Sequence, residues 1–119
     1  MTESTAVVVR DMTPDDAEQM VPLLETLGYG ADPGTIADRL RALTASDPTG
    51  RVLVAESGRQ LVGFAVLHCT PALHRPTPVG RITAIAVLPP AQGSGVGKDL
   101  VRAAEHYFRN LGLGRIEVT

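Results

Sequence analysis

Residues 87–98 read Val87-Leu88-Pro89-Pro90-Ala91-Gln92-Gly93-Ser94-Gly95-Val96-Gly97-Lys98. An apolar strand passes here through a proline turn into the glycine-rich start of a helix. The alternate glycines let the backbone approach a ligand closely and point successive N–H groups at one place. The helix start adds unpaired N–H groups and the positive end of its dipole, which disfavours a cation such as Lys98 by about 0.3–1 kcal/mol unless an anion is bound. We therefore predict that this segment binds a phosphate group.

Two familiar phosphate-binding motifs do not fit this spacing. A nucleotide-hydrolysing P-loop has a glycine, four further residues and then Gly-Lys followed by a hydroxyl residue. In this chain the first glycine position holds Gln92 and the hydroxyl position holds Asp99. The dinucleotide-binding motif G-x-G-x-x-G would need its third glycine at Lys98, and the acid that binds ribose about twenty residues later is missing. Both of these nucleotide-binding classes are therefore disfavoured.

The composition predicts one small domain over residues 1–119. The net charge of −2 gives no positive surface for nucleic acid. Apolar runs stay well short of the roughly 18 residues that a membrane span needs, so no membrane association is expected. The N-terminal residues 1–5 carry an acid rather than the basic region of a signal peptide. The single cysteine, Cys69, cannot form an internal disulfide, which fits a reducing compartment and predicts a cytoplasmic protein.

Hydrophobic periodicity predicts an α/β chain in the order β-α-α-β-β-β-α-β. The predicted strands are residues 7–10, 51–56, 61–68, 81–88 and 115–119, and the predicted helices run from Thr13 to Gly28, from Asp32 to Asp47 and from Gly95 to Leu111. Their apolar stripes are Ala17, Met20, Val21, Leu24 and Leu27, then Ile36, Leu40 and Leu43, then Val96, Leu100, Ala104, Tyr107 or Phe108, and Leu111. Strands 61–68 and 81–88 are apolar enough for a central sheet covered on both faces. A right-handed last β-α-β unit places strand 115–119 parallel to strand 81–88.

The run Gln-Gly-x-Gly-x-Gly, which follows a strand and Val-x-Pro, resembles the coenzyme A pyrophosphate loop of the GNAT superfamily of N-acetyltransferases. Four other segments are similar to that family: Thr13-Pro14-Asp15-Asp16-Ala17 to its opening turn, Leu23 to Tyr29 to the end of its first helix, Arg81 to Val87 to the strand before the loop, and Ile116 to Thr119 to the strand after the helix. The resemblance implies a GNAT-like α/β fold with a mixed central sheet. The final helix and two strands of the family have no counterpart in residues 1–119.

The resemblance implies a function and a binding site. The expected co-substrate is acetyl-CoA or a related acyl-CoA, no metal is expected, and the reaction is transfer of the acetyl group to a small-molecule or peptide amine. The implied pyrophosphate-binding residues are Gln92, Gly93, Ser94, Gly95, Val96, Gly97 and Lys98. The backbone of Ile85, Ala86 and Val87 is expected to hold the pantetheine arm and to stabilise the oxyanion that forms at the thioester carbonyl.

Alternatives to these assignments remain open. Lys98 could be a solvated surface residue, and Ile85, Ala86 and Val87 could serve only as core strand. For the whole chain, the alternative is a non-catalytic module that binds acyl-CoA or another partner. Turnover with a panel of amines distinguishes that module from an enzyme.

The catalytic residues are less defined than the binding loop. Many members of the family carry a carboxylate base at the positions of Thr83 or Ala84, and neither residue can take that role. The candidate base is His74, in the proline-rich loop 70–78; an exposed loop residue without a role is the alternative. His68 and Cys69 cannot form a base–nucleophile pair if the strand continues through them, because adjacent residues point to opposite faces. Cys69 is therefore predicted to be a small buried residue, and no role is assigned to His106.

The last predicted strand suggests self-association. In the family, two further strands cover the outer edge of strand 115–119, and the tyrosine that protonates the leaving thiolate usually comes from the same later segment. Without them, Ile116 and Val118 would lie beside unpaired backbone groups at a sheet edge. We therefore expect a homodimer formed through this edge, or poor solubility, and weak or absent transferase activity.

Overall fold

The computed structural model describes residues 6–118 of the chain. Five strands are present: β1 Val7–Asp11, β2 Arg51–Ser57, β3 Gln60–Thr70, β4 Val79–Val87 and β5 Ile116–Val118. The three helices are α1 Ala17–Thr26, α2 Pro33–Ser46 and α3 Val96–Asn110, and short 3-10 turns at Pro14–Asp16 and Pro89–Ala91 precede α1 and α3. This is the predicted α/β element order. Strand β3 extends beyond its predicted bounds at both ends, and Thr119 lies outside the described residues.

The strands form one mixed sheet in the order β1-β2-β3-β4-β5. Neighbouring strands from β1 to β4 are antiparallel, whereas β4 and β5 are parallel, as predicted for the last β-α-β unit. The register between β3 and β4 shifts between Val66 and Leu67, so that Thr83 of β4 has no partner opposite it. This bulge directly follows Ile82, which is the last residue of β4 that pairs with β5 within residues 6–118.

Helices cover both faces of the sheet, as the apolar central strands predict. On one face, here the α1/α2 face, α1 and α2 pack over Val54, Leu61, Phe64 and Ala86. On the other, the α3 face, the buried side of α3 packs over a second cluster: Val96, Leu100, Ala104 and Phe108 with Leu53, Ala65, Leu67 and Ile82. Two predicted positions differ: Leu23 is fully buried although it lies outside the predicted stripe, and Leu111, the C-cap residue after α3, is 42% exposed although it lies within the stripe.

A buried ion pair fixes the start of α1 to the sheet. Both carboxylate oxygens of Asp16 accept hydrogen bonds from the Arg10 guanidinium at 2.8 Å, and the Thr13 N–H donates to Asp16 as well. Arg10 also donates through Nε to Glu56 on β2. These bonds to Arg10, and then to Thr13, lower the pKa of Asp16. Asp16 is only 7% exposed, so its charge depends on these partners.

We expect Asp16→Asn to lower the free energy of unfolding by about 2 kcal/mol at pH 7, since it removes charged acceptors from a buried position. Because folding lowers the pKa of Asp16, the stabilisation is present above the unfolded pKa of about 3.9 and is lost as the pH falls through the folded value. Urea unfolding at pH 7, 5 and 3 measures the difference in free energy of unfolding between wild type and variant. We expect this difference to be smaller at pH 3 than at pH 7.

Asp38→Asn is the matched control, because Asp38 forms an exposed ion pair with Arg41 within α2. We expect it to change stability by less than about 0.5 kcal/mol. Equal effects of the two variants, or a loss of stability in Asp16→Asn that is as large at pH 3 as at pH 7, would contradict the role given to Asp16.

Candidate functional site

The glycine-rich segment forms a loop that aims several backbone donors in one direction. Gly93 and Gly95 adopt left-handed φ angles of +82° and +94°. Gly95 is the N-cap of α3 and supplies no side-chain cap. Within residues 6–118, the N–H groups of Gly95, Val96, Gly97 and Lys98 donate to no protein acceptor, and the first bond of the helix is from Asp99 N–H to Gly95 O at 3.0 Å. The loop therefore offers free N–H groups at the positive end of α3, as an anion site requires.

One edge of β4 is open beside this loop. The Leu88 N–H donates to Val62 O on β3 at 2.8 Å. Because successive residues of a strand direct their backbone groups to opposite sides, Ala86 faces β3 as well, while Ile85 and Val87 face the other edge. In the part of the chain that the structure describes, strand β5 pairs with that edge no further than Ile82. Of the three strand residues expected to hold the pantetheine arm, Ile85 and Val87 present backbone groups to the open edge and Ala86 does not.

Gln92 and Ser94 also act within the loop itself. The Gln92 side-chain amide donates to Val87 O at 3.0 Å, and the Ser94 hydroxyl donates to Ala91 O. Gln92 therefore ties the loop to the end of β4. A ligand that needs the Val87 carbonyl must share it with Gln92 or displace that side chain.

A groove of about 440 Å³ runs from the loop along α3 beside the open edge of β4. It is lined by Ile85, Gly97, Lys98, Val101, Arg102 and Glu105. Lys98 and Arg102 are exposed and one helical turn apart, and neither has an acidic partner in the described part of the chain. The groove thus combines an apolar floor with two cations and leads directly to the free N–H groups.

A second set of polar side chains lies on the α1/α2 face, past the bulge in β4. Asp47, His68, Arg81 and Glu117 form a row across neighbouring segments, here the charged row. His68 Nδ1 lies 3.3 Å from Asp47 Oδ2, and Arg81 Nη2 lies 3.2 Å from Glu117 Oε1. The pairing of His68 with Arg81, and of Arg81 with Glu117, keeps the row in register across β3, β4 and β5.

The Asp47 carboxylate is held in place by its own turn. The Thr49 hydroxyl donates to Asp47 Oδ1 at 2.6 Å and the Thr49 N–H donates at 3.0 Å. These bonds, together with the weaker contribution of His68, lower the pKa of Asp47. Sequence alone relates His68 only to the adjacent Cys69, and the pairing of His68 with Asp47 was not predicted. Side chains alternate between the two faces of the sheet along β3, so His68 lies on the face opposite Cys69, which is the face where α2 ends. This alternation could have indicated a partner for His68 near the end of α2.

The remaining candidates have simpler surroundings. His74 is an exposed residue of the loop between β3 and β4. Strand β3 continues through Thr70, so Cys69 and His68 point to opposite faces; Cys69 is half-buried and packs with the α3-face cluster. His106 is exposed and contacts Asn110 at 3.2 Å. Among residues 6–118, no three His, Cys, Asp or Glu side chains are placed to hold a metal ion, and no helix is long and apolar enough to cross a membrane.

Comparisons with known proteins agree on one family. A family model described as the acetyltransferase (GNAT) family matches residues 16–119. A mycothiol acetyltransferase of Pseudarthrobacter chlorophenolicus is 36% identical over 67 residues, which are 56% of this chain and 21% of that protein. An aminoalkylphosphonate N-acetyltransferase of Salmonella typhimurium is 29% identical over 112 residues, 93% of this chain and 72% of that protein. This chain therefore spans about a fifth of the first relative and nearly three quarters of the second.

The fold is also that of a solved acetyltransferase. The structure of the aminoglycoside N-acetyltransferase AAC(6')-Iy in complex with CoA superposes with a TM-score of 0.84 at 20% identity. The match covers 100% of this chain and 80% of that structure. At this level of identity the likeness concerns the fold, which is the mixed sheet with helices on both faces described above.

Proposed function

The chain belongs to the acetyltransferase (GNAT) family, and we propose that it transfers an acetyl group from acetyl-CoA to a primary amine by direct attack of the amine on the thioester. The observation that carries this proposal is that three features of the site lie next to one another along one path. The free N–H groups at the start of α3, the groove along α3 and the open edge of β4 adjoin one another. A long ligand with a pyrophosphate at one position and an amide-containing arm beyond it fits such a path.

The donor is held by backbone more than by side chains in this proposal. In the loop 93–98, the pyrophosphate accepts hydrogen bonds from the free N–H groups of residues 95–98, with Lys98 and Arg102 adding positive charge along the groove. The pantetheine arm lies along β4 and pairs with backbone groups of Val87 and Ile85, as a strand would. The likeness of the fold to an acetyltransferase solved in complex with CoA supports CoA as the donor's carrier.

The chemistry then takes place at the bulge end of the open edge. The neutral amine attacks the thioester carbonyl, a C–N bond forms, and the oxyanion of the tetrahedral intermediate accepts a hydrogen bond from a backbone N–H of the edge near Ile85. Collapse breaks the C–S bond and releases the thiolate, which takes a proton from solvent, and the ammonium proton leaves through water. Preorganised N–H donors of this kind are typically worth about 3 kcal/mol each.

The proposed acceptor is a primary amine, and the names of the relatives indicate which amines to consider first. One is named for mycothiol and the other for aminoalkylphosphonates. The second match spans most of this chain and most of that protein, so aminoalkylphosphonates are the first acceptors to assay. Release of free thiol from acetyl-CoA in the presence of a panel of amines is the test. Tight binding of coenzyme A without turnover of any amine would favour the non-catalytic alternative.

We expect kcat/KM to rise with pH toward the acceptor's own pKa, without a protein-derived inflection near neutrality. Thr83 and Ala84 cannot accept a proton as a carboxylate at those positions would, so deprotonation occurs in water. Rates measured from about pH 5.5 to 9.5 check this expectation. An inflection near pH 6–7 that disappears in His74→Ala would instead make His74 the base, and one that disappears in His68→Ala would give that role to His68.

We also propose a cytoplasmic homodimer. Within residues 6–118, β5 is the outermost strand of the sheet beside β4, and its Val118 is 63% exposed. Exposed strand edges favour pairing with a second chain. The outer edge of β5 is therefore the surface through which we expect two copies to associate.

A further inference from the structure

The placement of the donor leaves one face of β4 for the acceptor. The groove described above lies on the α3 face, where the Ile85 side chain packs. A donor that enters at the glycine loop passes Val87 and Ile85, so its acyl end lies at the bulge beside Thr83. The amine must then approach from the α1/α2 face. There, α1 and α2 pack against Ala84 and Ala86, and the next residue of β4 on that face past the bulge is Arg81.

The side-chain direction of Arg81 follows from its neighbours. Gly80 faces Phe108 of α3, and Ile82 is fully buried in the α3-face cluster. Arg81, between them, therefore points to the α1/α2 face, as does Glu117, since Ile116 packs on the α3 side. Arg81 lies two positions before Thr83, which is a distance of about 7 Å along a strand. A small amine at the bulge would thus place a substituent a few bonds away beside this guanidinium.

The charge around Arg81 is positive on balance. Glu117 is its carboxylate partner at 3.2 Å, but the same carboxylate accepts a bond from Arg115 Nε at 2.9 Å. Arg115, and then Arg81 and Arg75, lower the pKa of Glu117, so cationic charge predominates near this carboxylate. The other acid of the charged row, Asp47, is already bonded to Thr49 and His68.

Arg81 also has unused hydrogen-bonding capacity. Its Nε is buried and has no acceptor in the described part of the chain, and its one ion-pair contact uses a single Nη. A guanidinium offers five donors in a fork that matches a tetrahedral or planar oxyanion. A buried donor without an acceptor is costly, so the arrangement is one that a bound anion improves.

We propose that the acceptor is a small primary amine with an anionic substituent, a phosphonate, phosphate or carboxylate, and that Arg81 is the residue that selects it. This inference rests on the proposed transferase function and deepens it by naming a specificity-determining side chain. The amine lies at the bulge by Thr83, and the anion lies against Arg81 with Arg75 and Arg115 nearby. Glu117 competes with the anion for the same guanidinium.

The kinetic test compares acceptors of matched length. With saturating acetyl-CoA, kcat/KM is measured for 2-aminoethylphosphonate, O-phosphoethanolamine, β-alanine and n-propylamine. We expect the anionic amines to exceed n-propylamine at least tenfold. Arg81→Gln should lower kcat/KM for the anionic amines at least about tenfold, mainly by raising KM, because a hydrogen bond to an ion is worth about 1.5–3 kcal/mol. The same substitution should leave kcat/KM for n-propylamine within about twofold of the wild-type value. Arg81→Lys should fall between wild type and Arg81→Gln.

Two further variants separate recognition from a structural role. Glu117→Gln should raise the affinity for the anionic amines about threefold, since it removes a competing carboxylate, whereas a merely structural ion pair would lower it. Arg41→Gln, which breaks an exposed ion pair on α2, should leave kcat/KM for every acceptor unchanged. Loss of n-propylamine turnover together with the anionic amines in Arg81→Gln would overturn the proposal.

Calorimetric titration of 2-aminoethylphosphonate in the presence of coenzyme A distinguishes the two proposals. Binding that is lost in Arg81→Gln but accompanied by no turnover in wild type would reject the transferase and support Arg81 as the anion-binding residue. Turnover of neutral and anionic amines at equal rates would support the transferase and reject the role of Arg81.

Discussion

Replacing Gly95 with valine should reduce the affinity for coenzyme A at least about a hundredfold. Gly95 has a φ of +94°, which a β-branched residue adopts only under strain. A Cβ at this position meets nothing within 4 Å, so the effect comes from the backbone rather than from a collision within the protein. Relief of the strain moves the N–H groups of residues 95–98. Two lost bonds to the pyrophosphate, at about 1.5–3 kcal/mol each, give that factor. Calorimetric titration with coenzyme A measures it.

Gly112→Val is a matched control because Gly112 has a similar φ of +79°, also has open space around its Cβ, and lies at the other end of the same helix. We expect it to lower stability by a comparable amount and to leave the affinity for coenzyme A unchanged. Lys98→Ala should lower the affinity for coenzyme A less than tenfold, since an exposed charge is screened by salt. Unchanged affinity in Gly95→Val, or an equal loss in Gly112→Val, would contradict the assignment of the loop.

The parts of the fold that local sequence determines were predictable. Glycine spacing after an apolar strand predicted the loop and the start of α3, and handedness predicted that β5 is parallel to β4, which the structure confirms. The helix stripes were predicted because each depends on residues three and four apart. The errors were local as well: α3 ends at Asn110, one residue before the predicted end, and Leu111 is exposed rather than part of the buried stripe.

The details of the site depend on contacts that sequence spacing does not reveal. Within residues 6–118, β5 pairs with β4 only at residues 80–82, which leaves the next part of that edge open, and the bulge at Thr83 depends on the register with β3. The charged row joins residues as distant in sequence as Asp47 and Glu117. Among the expected pantetheine-binding residues, the alternation of β4 separates Ala86 from Ile85 and Val87. None of these arrangements follows from composition or periodicity, because each requires the register between strands.

Gly80 is a further residue whose role only packing reveals, and we expect Gly80→Ala to lower the free energy of unfolding by about 3 kcal/mol. Its backbone is not left-handed, so the cost is steric: an added Cβ would lie 2.6 Å from Phe108 Cγ and 2.8 Å from Cδ1. Phe108 is fully buried and cannot move aside. The Gly80 N–H donates to Arg115 O at the start of β5, so a shift of β4 would also disturb that pairing. Thermal unfolding should show a decrease of roughly 10–15 °C in Tm.

The steric origin can be tested with a second substitution and a control. Phe108→Leu removes the ring at a cost in packing, and the double variant Gly80→Ala/Phe108→Leu should be more stable than the sum of the two single effects predicts, because the added methyl group then occupies the space of the ring. Gly30→Ala, at a position with open space and no left-handed φ, should change stability by less than about 0.5 kcal/mol. Strict additivity in the double variant would mean that the contact between residue 80 and the Phe108 ring does not set the cost. In that case the close approach of α3 to β4 at Gly80 would not explain why a glycine is needed there.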